Sequence, residues 1–114
     1  MEEYADRNAL LNDFGFKNYD AYLRSSLWKS IRGEKLAKDP ECYGCGRNDR
    51  LQVHHGKYHI SNLTGQSLDD LYTVCSRCHH KCEITAQLVK CSPSEATKHL
   101  ERIRAFFLRR GHIK

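Results

Sequence analysis

Between residues 42 and 79 lie two Cys-x-x-Cys pairs, Cys42/Cys45 and Cys75/Cys78, with the doublet His54-His55 between them and His79 directly after the second. No other feature constrains the fold as strongly. Four thiolates in two such pairs close a tetrahedral zinc site with no open position, so the ion ties two distant segments together as a structural centre. A lone Cys-x-x-Cys is shared with thioredoxin-like redox motifs, whereas two pairs, each beside a short strand pattern, point to a metal. The competing readings are a reduced thiol cluster and a thiol redox protein. Cys82 and Cys91 are surplus. Cys82 lies one helical turn after Cys78 and either competes as a ligand or, like Cys91, is a buried free thiol.

The 114 residues amount to about one domain, a size at which a structural metal supplements a modest core. The apolar runs are only a few residues long, so a membrane span is not expected. The acidic start lacks the basic-apolar-small order of a signal peptide. Six cysteines in a chain without signs of secretion read as metal ligands in a reducing compartment, and a cytoplasmic location is expected.

The net charge is +5, and its distribution is more informative than its sum. Residues 21–38 carry five bases against one acid, and residues 95–114 carry six bases against two acids. One basic helix is commonly a solvated face. Two of them flanking a metal centre point to a polyanion such as nucleic acid.

Short apolar periodicities lay out the elements. Residues 3–14 predict an amphipathic helix ending near Gly15. A second helix is predicted from an Asn18 N-cap to Lys38, with Tyr19, Tyr22, Leu23, Leu27, Trp28, Ile31 and Leu36 at helical spacing. Asp39-Pro40 stops it, because the residue before proline is pushed out of the helical region. Residues 42–46 then form a knuckle around the metal. Leu51 to His55 reads as a strand and Leu71 to Val74 as its antiparallel partner, across a polar loop over 56–70. A helix is predicted from Arg77 to Val89. The last one carries the best punctuation: Ser92 as N-cap, Pro93, Glu95, a stripe of Leu100, Ile103 and Phe107, and Gly111 at the end. The fold class is α+β, a zinc-tied hairpin plus helix flanked by amphipathic helices. It is read as one domain over 1–114, with a core at about 40–89, a helical arm over 1–39 and a basic helix over 92–111.

Adjacent strand residues point to opposite faces, so His54 and His55 cannot both ligate one ion in a regular strand. If His54 faces the helix after Cys75 it meets His79, and Glu83 shares the helical face of His79 four residues on. His54, His79 and Glu83 then make an open N/N/O site for a divalent ion. His55 is left unligated, with a pKa expected near neutrality. The bland alternative is that these histidines merely satisfy backbone hydrogen bonds beside the knuckles.

The stretch from Leu51 to Glu83 resembles the HNH endonuclease motif, with its ββα-metal hairpin and paired zinc knuckles. The upstream pattern Tyr19-x-x-Tyr22-Leu23-x-Ser25-x-x-Trp28-x-x-x-Arg32-x-x-x-Leu36 is similar to that of small HNH proteins. The resemblance covers roughly residues 19–83. It implies that His54 and His79 bind a catalytic divalent ion (Mg2+, Mn2+, Ni2+ or Zn2+), with Glu83 where some members have a further histidine. It implies that His55 is the general base activating water. Asp70 falls where the family's middle Asn braces the loop carrying that base. DNA, double-stranded, is the implied substrate, cut to 5′-phosphate and 3′-hydroxyl ends as a nick or a double-strand break. Lys57 beside the site, with Arg102, Arg109 and Arg110 on the last helix, is expected to hold the backbone. A monomer or weak homodimer is expected, in a setting such as restriction, phage packaging, homing or defence, with corresponding phage or defence-system partners. The alternative is a non-catalytic zinc module that binds nucleic acid.

Overall fold

The computed structural model describes residues 2–84 and 89–111. Helices α1 (Glu2–Asp13), α2 (Tyr19–Leu23) and α3 (Ser26–Lys38) precede a hairpin of β1 (Leu51–His55) and β2 (Leu71–Cys75), whose connection contains the short helix α4 (Ile60–Thr64). Helix α5 (Ser76–Glu83) leaves β2 directly, and α6 (Pro93–Arg109) follows. The result is a small α+β fold. No helix among the described residues is long and apolar enough to cross a membrane.

The hairpin is antiparallel, with Val53 opposite Thr73, His54 opposite Tyr72 and His55 opposite Leu71. Strand alternation then assigns the faces. Val53, His55 and Leu71 turn toward a core of Leu11, Tyr22, Trp28, Ile31 and Leu63 supplied by α1 to α4. His54, Tyr72 and Val74 turn toward a second core built from Cys42, Cys78, Cys82, Cys91, Ala96 and Leu100. The sheet is a wall between two cores, and adjacent histidines on β1 enter different ones.

The helix predicted from Asn18 to Lys38 is broken in two. Asn18 caps α2, its Oδ1 accepting the Ala21 N–H at 2.8 Å. Ser25 then interrupts: its hydroxyl donates to the Tyr22 carbonyl at 2.6 Å and accepts the Trp28 N–H at 3.1 Å. One serine ends one helix and caps the next. The bend brings Tyr22 and Trp28 into the same core, ring centroids 5.7 Å apart, and lets the Tyr22 hydroxyl donate to the Leu63 carbonyl at 2.8 Å.

The loop over 56–70 has more structure than its polar composition implies. Helix α4 ends at Gly65, whose φ of 83° is left-handed. A Cβ at Gly65 would lie 2.8 Å from Ile31 Cγ1, so this turn is also pressed against α3. The helix predicted from Arg77 to Val89 stops at Glu83; Ile84 is extended and pairs antiparallel with Lys90, while the Cys91 N–H donates to the Glu83 carbonyl at 2.7 Å. The 85–88 portion of that predicted helix lies outside the described residues. Helix α6 carries the expected cap, Ser92 Oγ accepting the Glu95 N–H at 3.3 Å.

Two glycine substitutions separate backbone strain from backbone entropy. Gly65→Ala places a side chain at positive φ against Ile31 and is expected to destabilise the fold by about 1–3 kcal/mol in urea unfolding. Gly33→Ala, inside α3 with open space around its Cβ position, is expected to stabilise it by about 0.5–1 kcal/mol. Equal effects at the two positions would contradict this assignment.

Candidate metal centre

The Cys42 to Gly46 knuckle is closed by its own backbone. The Cys42 N–H donates to the Arg47 carbonyl at 2.7 Å, and the Gly46 N–H to the Cys42 carbonyl at 2.8 Å. The Tyr43 N–H reaches the Thr73 carbonyl at 2.7 Å and hooks the knuckle onto β2. Cys75 ends that strand and caps α5, its Sγ accepting the Cys78 N–H at 3.4 Å. The four sulfurs of Cys42, Cys45, Cys75 and Cys78 lie within 4.8 Å of one another.

The Cys45 and Cys75 sulfurs are 3.7 Å apart. A tetrahedron with zinc–sulfur bonds of about 2.3 Å has edges of about 3.8 Å. The cluster therefore fits a metal such as zinc. A hydrogen bond from Cys78 holds the Cys42 thiol far below the usual range, at about 4, against the opposing effect of burial. Cys82 stands outside the set. Its thiol donates to the His79 carbonyl at 3.3 Å, and burial pushes it up to about 12.

A second group of donors converges on the other side of α5. Ligand atoms of His54, His79 and Glu83 lie within 4.8 Å of one another. His79 Nε2 is 2.5 Å from Glu83 Oε1, and His54 Nδ1 is 3.7 Å from the same oxygen. The two values bracket the separation of about 3 Å between adjacent ligands of an octahedral ion with bonds near 2.1 Å. His54 is almost fully buried, while the Glu83 side chain is 28% exposed and that of His79 22% exposed, so the group opens to solvent on the helix side.

The outer partners of these imidazoles fix their tautomers. The Thr97 hydroxyl donates to the Pro93 carbonyl at 2.8 Å, so its oxygen accepts the His54 Nε2–H at 3.2 Å. That leaves the His54 Nδ1 lone pair facing Glu83. Gln52 Oε1 accepts the His79 Nδ1–H at 2.6 Å, which leaves Nε2 as the lone pair on that ring. Two nitrogen lone pairs and a carboxylate oxygen thus face one another with no hydrogen of their own, an arrangement that requires a cation or a proton between them. Burial raises the Glu83 carboxyl, but when protons fill that gap the resulting hydrogen bonds from the His54 and His79 imidazoliums outweigh it and hold the group below the ordinary carboxylate range. The donor set fits a divalent ion.

His55 is in a different environment. It is only 3% exposed and packs among Trp28, Tyr58, Tyr19 and Tyr22, with the Trp28 ring centroid 4.6 Å away. Its Nδ1 is 3.0 Å from the Tyr19 hydroxyl, and its Nε2 has no hydrogen-bond partner among the described residues. The expected near-neutral pKa is not met. Burial first, then the charges of His54, Arg7 and His79, depress it to about 3.

Asp70 takes a left-handed φ of 63°, and its carbonyl accepts the Gly56 N–H at 2.7 Å. It holds the end of the hairpin through its backbone. The loop is braced by the side chain of Asn62 instead, which is buried and donates to the Asp69 carbonyl. Lys57 is exposed just after β1, and Arg109 is exposed at the end of α6. Arg102 lies on α6 beside the cysteine cluster, and Arg110 stacks on Phe106 at 4.4 Å.

Sequence reading missed Gln52, Thr97, Tyr19 as a partner of His55, and Asn62. Gln52 was accessible by strand alternation, since it shares the face of His54 two residues on. Thr97 reaches His54 from α6, a long-range contact with no local signal. Comparisons with protein-family models, curated proteins and solved structures found no match. The HNH resemblance rests on the residues quoted above.

Calorimetric titration of the zinc-loaded chain with Mn2+ tests the second group. His79→Ala is expected to weaken binding at least tenfold, and Gln52→Ala, which frees the ring it orients, by about 10–100-fold. Unchanged affinity in His79→Ala would remove that residue from the site.

Proposed function

We propose that the chain is a metal-dependent endonuclease of the HNH kind that hydrolyses DNA phosphodiester bonds. The observation supporting this reading is the convergence of His54, His79 and Glu83 next to a separate four-cysteine cluster. A purely structural zinc module has no use for a second, solvent-facing set of lone pairs. In this reading the two centres divide the work: one holds the hairpin against α5, and the other faces the substrate.

Phosphodiester hydrolysis needs an activated water, stabilisation of charge at phosphorus, and stabilisation of the leaving oxygen. His54, His79 and Glu83 would hold a divalent ion, which would supply Lewis acidity for the last two. Thr97 and Gln52 keep the lone pairs of His54 and His79 aimed inward. His55 serves as the base: with Nδ1–H donated to the Tyr19 oxygen, the unpartnered Nε2 is left to take the proton of water. Tyr58 and Arg7, whose guanidinium lies 4.0 Å from the Tyr19 ring centroid, stand in the surrounding wall, so the reading requires that wall to open when substrate binds. Lys57, Arg109 and Arg110 supply backbone contacts without sequence information. One such site cuts one strand, and a double-strand break takes a dimer or two encounters.

The enclosure of His55 favours a second reading, a non-catalytic zinc module that binds nucleic acid and uses His55 as a core side chain. Plasmid nicking with added Mg2+, Mn2+ or Ni2+ separates the two. The nuclease reading expects nicking by the unaltered chain. It also expects losses of about 100-fold or more in His79→Ala and His55→Ala, with zinc content and circular dichroism retained. Absence of nicking in the unaltered chain, or equal nicking by His55→Ala, would favour the second reading.

A further inference from the structure

A groove beside the cysteine cluster carries basic and aromatic side chains that neither centre uses. Its floor is Cys45, Cys75 and Cys78, and its walls carry Arg47, Arg77, Lys81 and Arg102 together with Ile103, Phe106 and Phe107. The lining holds four cations and no carboxylate. Arg47 is paired with Asp49 at 3.2 Å, whereas Arg77, Lys81 and Arg102 are exposed and have no ion-pair partner among the described residues.

The arrangement follows from helical spacing. Arg77 and Lys81 are four residues apart and share one face of α5, as His79 and Glu83 share another. Two residues along a helix turn about 200°, so the basic face looks away from the His54–His79–Glu83 group. On the opposite wall, α6 presents Arg102 one turn before Phe106. The Phe106 ring is 42% exposed, meets Phe107 edge-on at 5.2 Å, and has the Arg110 guanidinium 4.4 Å from its centroid. A planar cation on an exposed aromatic ring, beside three cations without an ion-pair partner among the described residues, matches the two halves of a nucleotide: a base that extends the stack and phosphates that meet the charges.

We propose that this groove binds an unpaired stretch of a polynucleotide strand, with a base stacked on Phe106 and phosphates on Arg77, Lys81 and Arg102. A duplex buries its base faces and cannot offer that stack. The site lies across α5, about 10 Å, from the His54–His79–Glu83 group. It therefore anchors strand outside any reacting phosphate and is independent of whether the chain cleaves.

Fluorescence anisotropy with a labelled fifteen-nucleotide oligothymidylate and a hairpin duplex of the same length, without added divalent ions, tests the groove. The zinc-loaded chain is expected to bind the single strand more tightly than the duplex. Phe106→Ala is expected to weaken single-strand binding by about 5–150-fold, with Phe106→Trp restoring it. Arg102→Ala is expected to lower the salt slope by about 0.7, the share of one phosphate contact on a single strand. Lys29→Ala, on α3 away from the groove, is the control expected to leave binding unchanged. The proposal is overturned if Phe106→Ala and Arg102→Ala bind like the unaltered chain. It is also overturned if Arg102→Ala alters only zinc retention, in which case the cations merely balance the thiolates. Because no cleavage is measured, failure here is distinct from a failure of the nuclease reading in the nicking assay.

Discussion

Cys75 belongs to three structures at once: it ends β2, its sulfur caps α5, and the same sulfur lies 3.7 Å from Cys45 in the thiol cluster. A strand and a helix joined with no intervening loop have one fixed angle, and a metal bound between these sulfurs and the 42–45 knuckle would hold that angle against the rest of the chain. The two cores then sit on either side of a two-stranded sheet that would be marginal alone. Every later feature of the site follows from that anchoring. His79 comes one residue after Cys78, so fixing the cysteine also fixes the histidine.

The two donor groups share α5 but use different faces of it. Cys78 and Cys82 point inward, His79 and Glu83 point toward His54 on β1, and Arg77 and Lys81 are exposed along the groove that α5 shares with α6. Eight residues of helix thus serve a structural centre, an open donor group and a basic groove. Alternation on β1 does the complementary sorting, sending His54 to α5 and His55 into the aromatic core. The depressed pKa of His55 is the direct result of that sorting: a ring enclosed by Trp28 and three tyrosines loses the hydration that its charged form needs. In the nuclease reading the enclosed ring has to meet water, and in the module reading it never does.

Much of this was legible in the residues because the determining signals are local. The Cys-x-x-Cys spacing marks the cluster, strand period two separates His54 from His55, and the i, i+4 relation joins His79 to Glu83. What was not legible depends on long-range packing or on competing local signals. The apolar period of 18–38 runs straight through Ser25, so the break between α2 and α3 stays hidden until Tyr22 and Trp28 are seen to need the same core. The stop of α5 at Glu83 reflects pairing of Ile84 with Lys90, a contact that helical propensity does not register. The loop brace belongs to Asn62 rather than Asp70, because the buried amide can donate to a carbonyl and a carboxylate cannot.

Four sulfurs and nothing else are expected to hold one metal at the junction of knuckle, strand and helix. X-ray absorption at the zinc edge of the purified, zinc-loaded chain measures that directly. The expected result is one tightly bound zinc per chain with four sulfur neighbours at about 2.3 Å. A shell in which nitrogen or oxygen replaces one or more sulfurs would contradict it, because an imidazole drawn into that ion would no longer be available to the group it is supposed to complete.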